Sequence, residues 1–90
     1  MYRIDFTKTA RREVSQFEQS DPRVFKKIEK LLLELSVHPY TGRGKPELLR
    51  RNRTGQWSRR INHKHRLIYE VSEETVTVLI LSSYGHYDDK

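Results

Sequence analysis

The sequence predicts an α+β domain, with two N-terminal helices packed on one face of a mainly antiparallel sheet. Three observations predict it: an alternating apolar segment opens the chain, two helical periodicities follow back to back, and the rest reads as strands joined by turns. Helices grouped ahead of hairpin-linked strands give a layered α+β arrangement rather than alternating β and α units. One sheet face is then covered by helices, and the other is left as a working surface.

Tyr2, Ile4 and Phe6 alternate with Arg3 and Asp5, the pattern of a short strand with one buried face. Thr7 is placed to cap a helix running to about Gln19, with Ala10, Val14 and Phe17 as its apolar stripe. Asp21-Pro22 marks a second helix start: a carboxylate that can accept from the first turn, then a proline where its missing N–H costs nothing. Val24, Phe25, Ile28, Leu31, Leu32 and Leu35 follow at helical spacing, the clearest periodicity in the chain. This helix is expected to end near Ser36 or Val37, because Pro39 disfavours helical geometry at His38. Residues 40–56 carry three of the four glycines and Pro46, and read as a long loop with at most a short strand near Leu48-Leu49. Trp57 to Ile61, Arg66 to Val71 and Thr75 to about Ser83 read as strands, with turns at residues 62–65 and 72–74.

Ninety residues predict one domain spanning 1–90 with a single core. With no cysteine, disulfides and thiolate metal sites are excluded. The opening Met-Tyr-Arg-Ile-Asp has no apolar segment of the secretory kind, and no apolar run approaches the roughly 20 residues that span a bilayer, so a cytoplasmic location without a membrane partner is expected.

The net charge of +6 is unevenly placed. Residues 1–40 hold eight Lys/Arg and six Asp/Glu, which nearly cancel, and residues 67–90 hold one lysine and five acids. Residues 41–66 hold nine cations (Arg43, Lys45, Arg50, Arg51, Arg53, Arg59, Arg60, Lys64 and Arg66) and a single acid, Glu47. Basic side chains with Tyr40 and Trp57 nearby suit a nucleic-acid backbone with bases stacking alongside; a solvated basic face, or one meeting an acidic protein, gives the same pattern. Glu47 is open to two readings as well. It is either a structural ion-pair partner that orders the loop or a general base working inside a phosphate-binding pocket. His63 and His65 alternate in a turn without cysteines or clustered acids, which argues against zinc. His86, between Gly85 and Tyr87, either reaches back over the sheet or is a plain tail histidine.

Four ordered blocks decide between these readings: Gly42-Arg-Gly-Lys-Pro-Glu47-Leu-Leu, Gly55-Gln-Trp57-Ser-Arg-Arg60-Ile, His65-Arg66-Leu-Ile-Tyr69 and His86-Tyr87. Together they resemble the YoeB/Txe toxins of the RelE/ParE group of bacterial toxin–antitoxin systems. The Asp-Pro-Arg start of the second helix extends the resemblance over nearly the whole chain. Two departures stand out: Asp88-Asp89-Lys90 follow where the family often ends at the His-Tyr pair, and Gly85 occupies a position where a tyrosine often sits.

The resemblance implies a RelE-like, microbial-ribonuclease-like fold and ribosome-dependent cleavage of messenger RNA in the A site, without a cofactor or metal. It places the catalytic glutamate on Glu47, the catalytic arginine on Arg66, and the C-terminal histidine and tyrosine on His86 and Tyr87. Lys45, Arg50 and Arg60 match positions that are basic around the RNA. The implied partners are mRNA on the ribosome, ribosomal RNA, an antitoxin with an acidic flexible C-terminal segment and, through that antitoxin, operator DNA; a homodimer is also compatible. RNA carries its own nucleophile, the 2′-hydroxyl. The expected roles are therefore Glu47 as general base, Arg66 as stabiliser of the anionic phosphorane, His86 as general acid and Tyr87 as a positioning group. Two alternatives are a ParE-like toxin directed at gyrase, which needs no acid–base pair, and an RNA-binding module without catalysis.

Overall fold

The computed structural model describes residues 1–42, 44–49 and 55–84. Strand β1 (Arg3–Phe6) leads into helix α1 (Lys8–Ser20) and helix α2 (Pro22–Leu35). Strands β2 (Glu47–Leu48), β3 (Gln56–Arg60), β4 (Arg66–Ser72) and β5 (Thr77–Ser82) complete one five-stranded sheet in the order β1-β5-β4-β3-β2. The β5–β4–β3–β2 pairings are antiparallel, as the sequence predicts, whereas β1 pairs with β5 in parallel.

The helix starts follow the capping logic. The Thr7 hydroxyl accepts from the Ala10 amide at 3.1 Å, and Asp21 Oδ1 accepts from the Val24 amide at 3.4 Å just ahead of Pro22. Thr7 does a second job: its hydroxyl donates to the Leu81 carbonyl at 3.0 Å, where a bulge shifts the β4–β5 register. The start of α1 is thereby tied to the irregular end of β5.

Both predicted helical stripes enter the core. Ala10 and Phe17 of α1, with Val24, Ile28, Leu31 and Leu35 of α2, pack against Leu67, Tyr69, Val78 and Ile80 of the sheet. Tyr2, Ile4, Phe6, Val14, Phe25, Leu32 and Trp57 close the edges of this cluster. Because side chains alternate along a strand, the same registers that turn Trp57, Leu67 and Tyr69 inward turn Ser58, Arg60, Arg66 and Ile68 to the opposite face. Among the described residues no helix is long and apolar enough to cross a membrane.

Helix α2 ends near Ser36 as expected, whereas the turn before β5 differs from expectation. Helix α2 stops at Leu35, and Ser36 and Val37 form a turn. The Ser36 hydroxyl donates to Leu33 O at 2.6 Å and its carbonyl accepts from the Tyr2 amide at 2.7 Å, while Pro39 offers no amide to the Leu35 carbonyl with which to continue the helix. The turn before β5 covers residues 73–76 rather than 72–74, and β5 starts at Thr77 rather than Thr75. In that turn the Glu73 carboxylate accepts from Tyr2 at 2.8 Å and from the Tyr40 hydroxyl, joining the first strand, the loop after α2 and the β4–β5 turn. The bond to Glu73 pushes the Tyr40 hydroxyl up to about 12 and holds the Glu73 carboxyl below its ordinary value.

Val76 closes this turn with a left-handed backbone, φ 49°, and an exposed side chain. A β-branched residue there is strained by about 1–2 kcal/mol. Val76→Asn, which tolerates that conformation, is expected to stabilise the protein by about 1 kcal/mol and to raise the thermal midpoint by a few degrees. An unchanged or lower midpoint would show that the turn is not strained.

Candidate active site on the open face of the sheet

The open face is built by three strands. In β3 the alternation sends Ser58 and Arg60 outward and Trp57 and Arg59 towards the helices. In β4 it sends Arg66 and Ile68 outward, in register with Arg60 and Ser58 respectively. Strand β2 adds Glu47 directly beside Ser58. Glu47, Ser58 and Ile68 therefore form one row across three strands, and Arg66 reaches that row diagonally from the next.

The contacts follow from this register. Arg66 Nη1 donates to the Ser58 hydroxyl at 3.1 Å and lies 3.9 Å from Glu47 Oε1. The Arg66 side chain is 16% exposed and that of Glu47 56%, so the guanidinium is held in the sheet surface while the carboxylate faces solvent. The 3.9 Å separation exceeds the roughly 2.7–2.9 Å of a charge-assisted hydrogen bond. Arg60 and Arg66 face one another across the β3–β4 ladder. Like charges in directly opposite positions repel, and an anionic ligand seated between them relieves that repulsion. Lys45, exposed and in a left-handed conformation with φ 50°, stands two residues before Glu47.

Of the residues singled out in the sequence, Glu47, Arg60 and Arg66 meet on this face, and Lys45 lies on the approach to it. Arg50, His86 and Tyr87 lie outside the described residues. The last part of the described chain is held against α1 and the residue before β4. Tyr84 stacks on Phe17 with ring centroids 5.9 Å apart and meets the His65 ring at a tilt with centroids 4.9 Å apart, and the Ser83 amide donates to Glu13 Oε1 at 2.8 Å. His65 immediately precedes Arg66, so the chain leaves β5 next to the strand that carries the arginine. Among the described residues no group of three or more His, Asp or Glu side chains is placed to hold a metal ion.

Two residues of the site region were not recognised from sequence. Ser58 is fully buried and supplies the hydroxyl that fixes Arg66. Arg59, counted above among the cations of the basic segment, is also fully buried and belongs to the opposite face. Its guanidinium pairs with Glu34 Oε1 at 2.7 Å and donates to the carbonyls of His38 and Thr41, the latter at 2.5 Å. Its Nε donates to the Tyr69 hydroxyl at 3.2 Å, and that hydroxyl donates on to Pro39 O at 2.8 Å. The signal was in the strand itself: Arg59 shares the inward phase with Trp57 and Ile61.

Comparison with known proteins gives consistent matches. The family model described as YoeB-like toxin of bacterial type II toxin–antitoxin systems matches residues 6–87. The toxin YoeB of Synechocystis is 39% identical over 85 residues, covering 94% of this chain and 96% of the relative. Among solved structures, a YoeB/ParE toxin from Agrobacterium tumefaciens superposes with a TM-score of 0.90 at 30% identity, covering 94% of this chain and 99% of that one. A heterotetrameric YoeB–YefM toxin–antitoxin complex from Staphylococcus aureus superposes at 0.84 with 40% identity over 97% and 99% of the two chains. A YoeB dimer from the same organism gives 0.85 with 40% identity over 96% and 98%.

Proposed function

Because the chain belongs to the YoeB-like toxin family of bacterial type II toxin–antitoxin systems, we propose that it is a ribosome-dependent endoribonuclease that cleaves messenger RNA in the A site. The observation that carries the proposal is the Glu47–Arg66 pair, 3.9 Å apart beside Arg60 on the one sheet face the helices leave open. An acceptor next to a guanidinium is the minimal equipment for deprotonating a hydroxyl while neutralising the phosphate it attacks.

In this mechanism Glu47 takes the proton from the 2′-hydroxyl, and the 2′ oxygen attacks the adjacent phosphorus. The guanidinium of Arg66 binds the non-bridging oxygens as charge builds on the phosphorane. His86 gives a proton to the departing 5′ oxygen, and Tyr87 positions the sugar–phosphate. The products are a 2′,3′-cyclic phosphate and a 5′-hydroxyl end. Lys45, Arg50 and Arg60 hold flanking phosphates, contacts that set register without reading sequence. All of this chemistry is available to protein side chains and the 2′-hydroxyl.

The partners follow the same reading: translated mRNA and ribosomal RNA for the basic surface, and an antitoxin whose acidic flexible segment covers it in the resting cell. Operator DNA is reached through the antitoxin. The staphylococcal YoeB–YefM complex and YoeB dimer support an antitoxin partner and self-association for this chain.

The structural neighbour that carries both the YoeB and ParE names favours a second reading, a toxin directed at gyrase. That activity gives no role to a carboxylate–guanidinium pair on an open sheet face. Primer extension on an mRNA translated in a purified system, with and without ribosomes, beside a gyrase supercoiling assay, decides between them. Discrete 3′ ends within translated codons, appearing only with ribosomes, are expected. Intact transcripts together with blocked supercoiling would replace the nuclease reading by the gyrase one, and binding without cut ends would reduce the protein to an RNA-binding module.

A further inference from the structure

We infer that Arg59, on the face of the sheet opposite Glu47, is a positioning residue for the cleavage reaction, because it fixes the loop that delivers Glu47 to Arg66. The inference rests on the nuclease reading above and goes on to say what holds the general base in place.

Glu47 and Arg66 are held very differently. Arg66 starts β4, the longest strand of the sheet, which lies between β3 and β5; it is in register with Arg60 of β3, and its guanidinium is anchored on Ser58. Glu47 sits on a two-residue edge strand with two register partners in β3, Ser58 and Trp57. A strand that short does not fix its own position; the flanking chain must do so, beyond it through the buried Leu49, whose amide donates to Gln56 O at 2.8 Å, and ahead of it through the segment leading in. Among the described residues between α2 and β2 there is no regular secondary structure, and their carbonyls need donors from elsewhere.

Arg59 supplies those donors. One guanidinium binds the carbonyls of His38 and Thr41, and through Tyr69 it also organises the hydroxyl that holds Pro39. Its charge is balanced by Glu34, and the loop wraps closely over this pair. A Cβ on Gly42, φ 111°, would lie 2.5 Å from Glu34 Oε1. A Cβ on Gly44, φ 79°, would lie 2.9 Å from Arg60 O and 3.2 Å from Arg59 Cβ. The far end of the loop is fastened by the Arg60 amide, which donates to Gly44 O at 2.7 Å, and Pro46 then fixes the backbone one residue before Glu47.

Burying an ion pair is an expensive way to fill a core, since an apolar residue of similar volume serves as well or better for stability. What an apolar residue cannot do is hold loop carbonyls in place. Consecutive arginines of β3 thus divide the work: Arg60 faces the substrate side, and Arg59, on the reverse, holds the base's approach. An ångström-scale shift of that loop moves Glu47 but leaves Arg66 where the sheet puts it, and misplacement of about 1 Å can cost about 10²-fold in rate.

The test is a pair of double-mutant cycles in the ribosome-dependent cleavage assay, run below the measured unfolding transition of every variant. Arg59→Lys keeps the charge but loses the planar fork, and is expected to lower kcat by about 30-fold with KM within about 3-fold. In a Glu47→Ala background the same substitution is expected to change the residual rate by less than about 2-fold, because a misplaced base matters only while the base exists. Should Arg59→Lys fail to fold, Tyr69→Phe decides by the same two readouts, with an expected loss of about 5-fold that vanishes without Glu47. A folded Arg59→Lys enzyme with wild-type kcat overturns the inference. So does an equal loss in the Glu47→Ala background, which would mark Arg59 as purely structural. Failure of the wild-type protein to cut would instead strike the nuclease reading itself.

Discussion

Glu47→Ala is expected to slow cleavage of translated mRNA by about 10²- to 10⁴-fold, the usual worth of a positioned general base. The protein should fold as before. The Glu47 side chain is 56% exposed, and ion pairs at that exposure contribute little, so the change in unfolding free energy should stay within about 1 kcal/mol. Single-turnover cleavage on programmed ribosomes measures the first effect and denaturant unfolding the second. Glu47→Gln separates the proton acceptor from the shape of the side chain and should be nearly as slow. An alanine variant that cuts at the wild-type rate would remove Glu47 from the mechanism and return it to the other role read from the sequence, an acid that merely orders a basic loop.

Arg66→Ala is expected to cost about 10²- to 10³-fold, the range seen when one preorganised donor to a developing anion is removed. Lys45→Ala should cost no more than about 10-fold and should act mainly through KM and salt dependence, as a contact to a flanking phosphate does. The contrast follows from placement. The Arg66 guanidinium is 16% exposed and fixed by a buried serine, so its charge is aimed at one point; Lys45 is an exposed side chain on a loop. Arg66→Ala also strips the donor from the Ser58 hydroxyl, so a stability loss of about 1 kcal/mol should accompany it. If Lys45→Ala proved the more damaging of the two, the assigned roles would be reversed.

The parts of this fold that were legible in the sequence are those set by local periodicity and local capping. Val24, Ile28, Leu31 and Leu35 lie on one helix face whatever else the chain does, and Thr7 and Asp21 cap helices from three residues away. The end of α2 was legible through Pro39, though the Tyr2 amide that takes up the Ser36 carbonyl is a partner distant in sequence with no local signal. The start of β5 shifted because Val76 accepts a left-handed backbone that its side chain disfavours. The parallel placement of β1 beside β5 has no local signal at all. At the candidate site, the basic segment and its single acid were visible as charge. Arg59 shows the limit of counting charge: net charge does not say which face of a strand a residue occupies. Only its phase, shared with Trp57 and Ile61, distinguishes it from Arg60.

The β1–β5 pairing also governs how the molecule comes into being. Strand β1 precedes the other described elements, yet its sheet partner β5 is the last strand among the described residues; Thr7 and Leu81, bonded where the two meet, are 74 positions apart. The helices and the β3–β4 hairpin can assemble from neighbouring residues, but β1 has nowhere to dock until β5 is in place. Contacts of such long span are closed late, because loop entropy must be spent before they give anything back. A sheet of this topology stays open on the β1 side until β5 lies against β4, so the scaffold that carries the proposed site is completed by its longest-range pairing and not by its local ones.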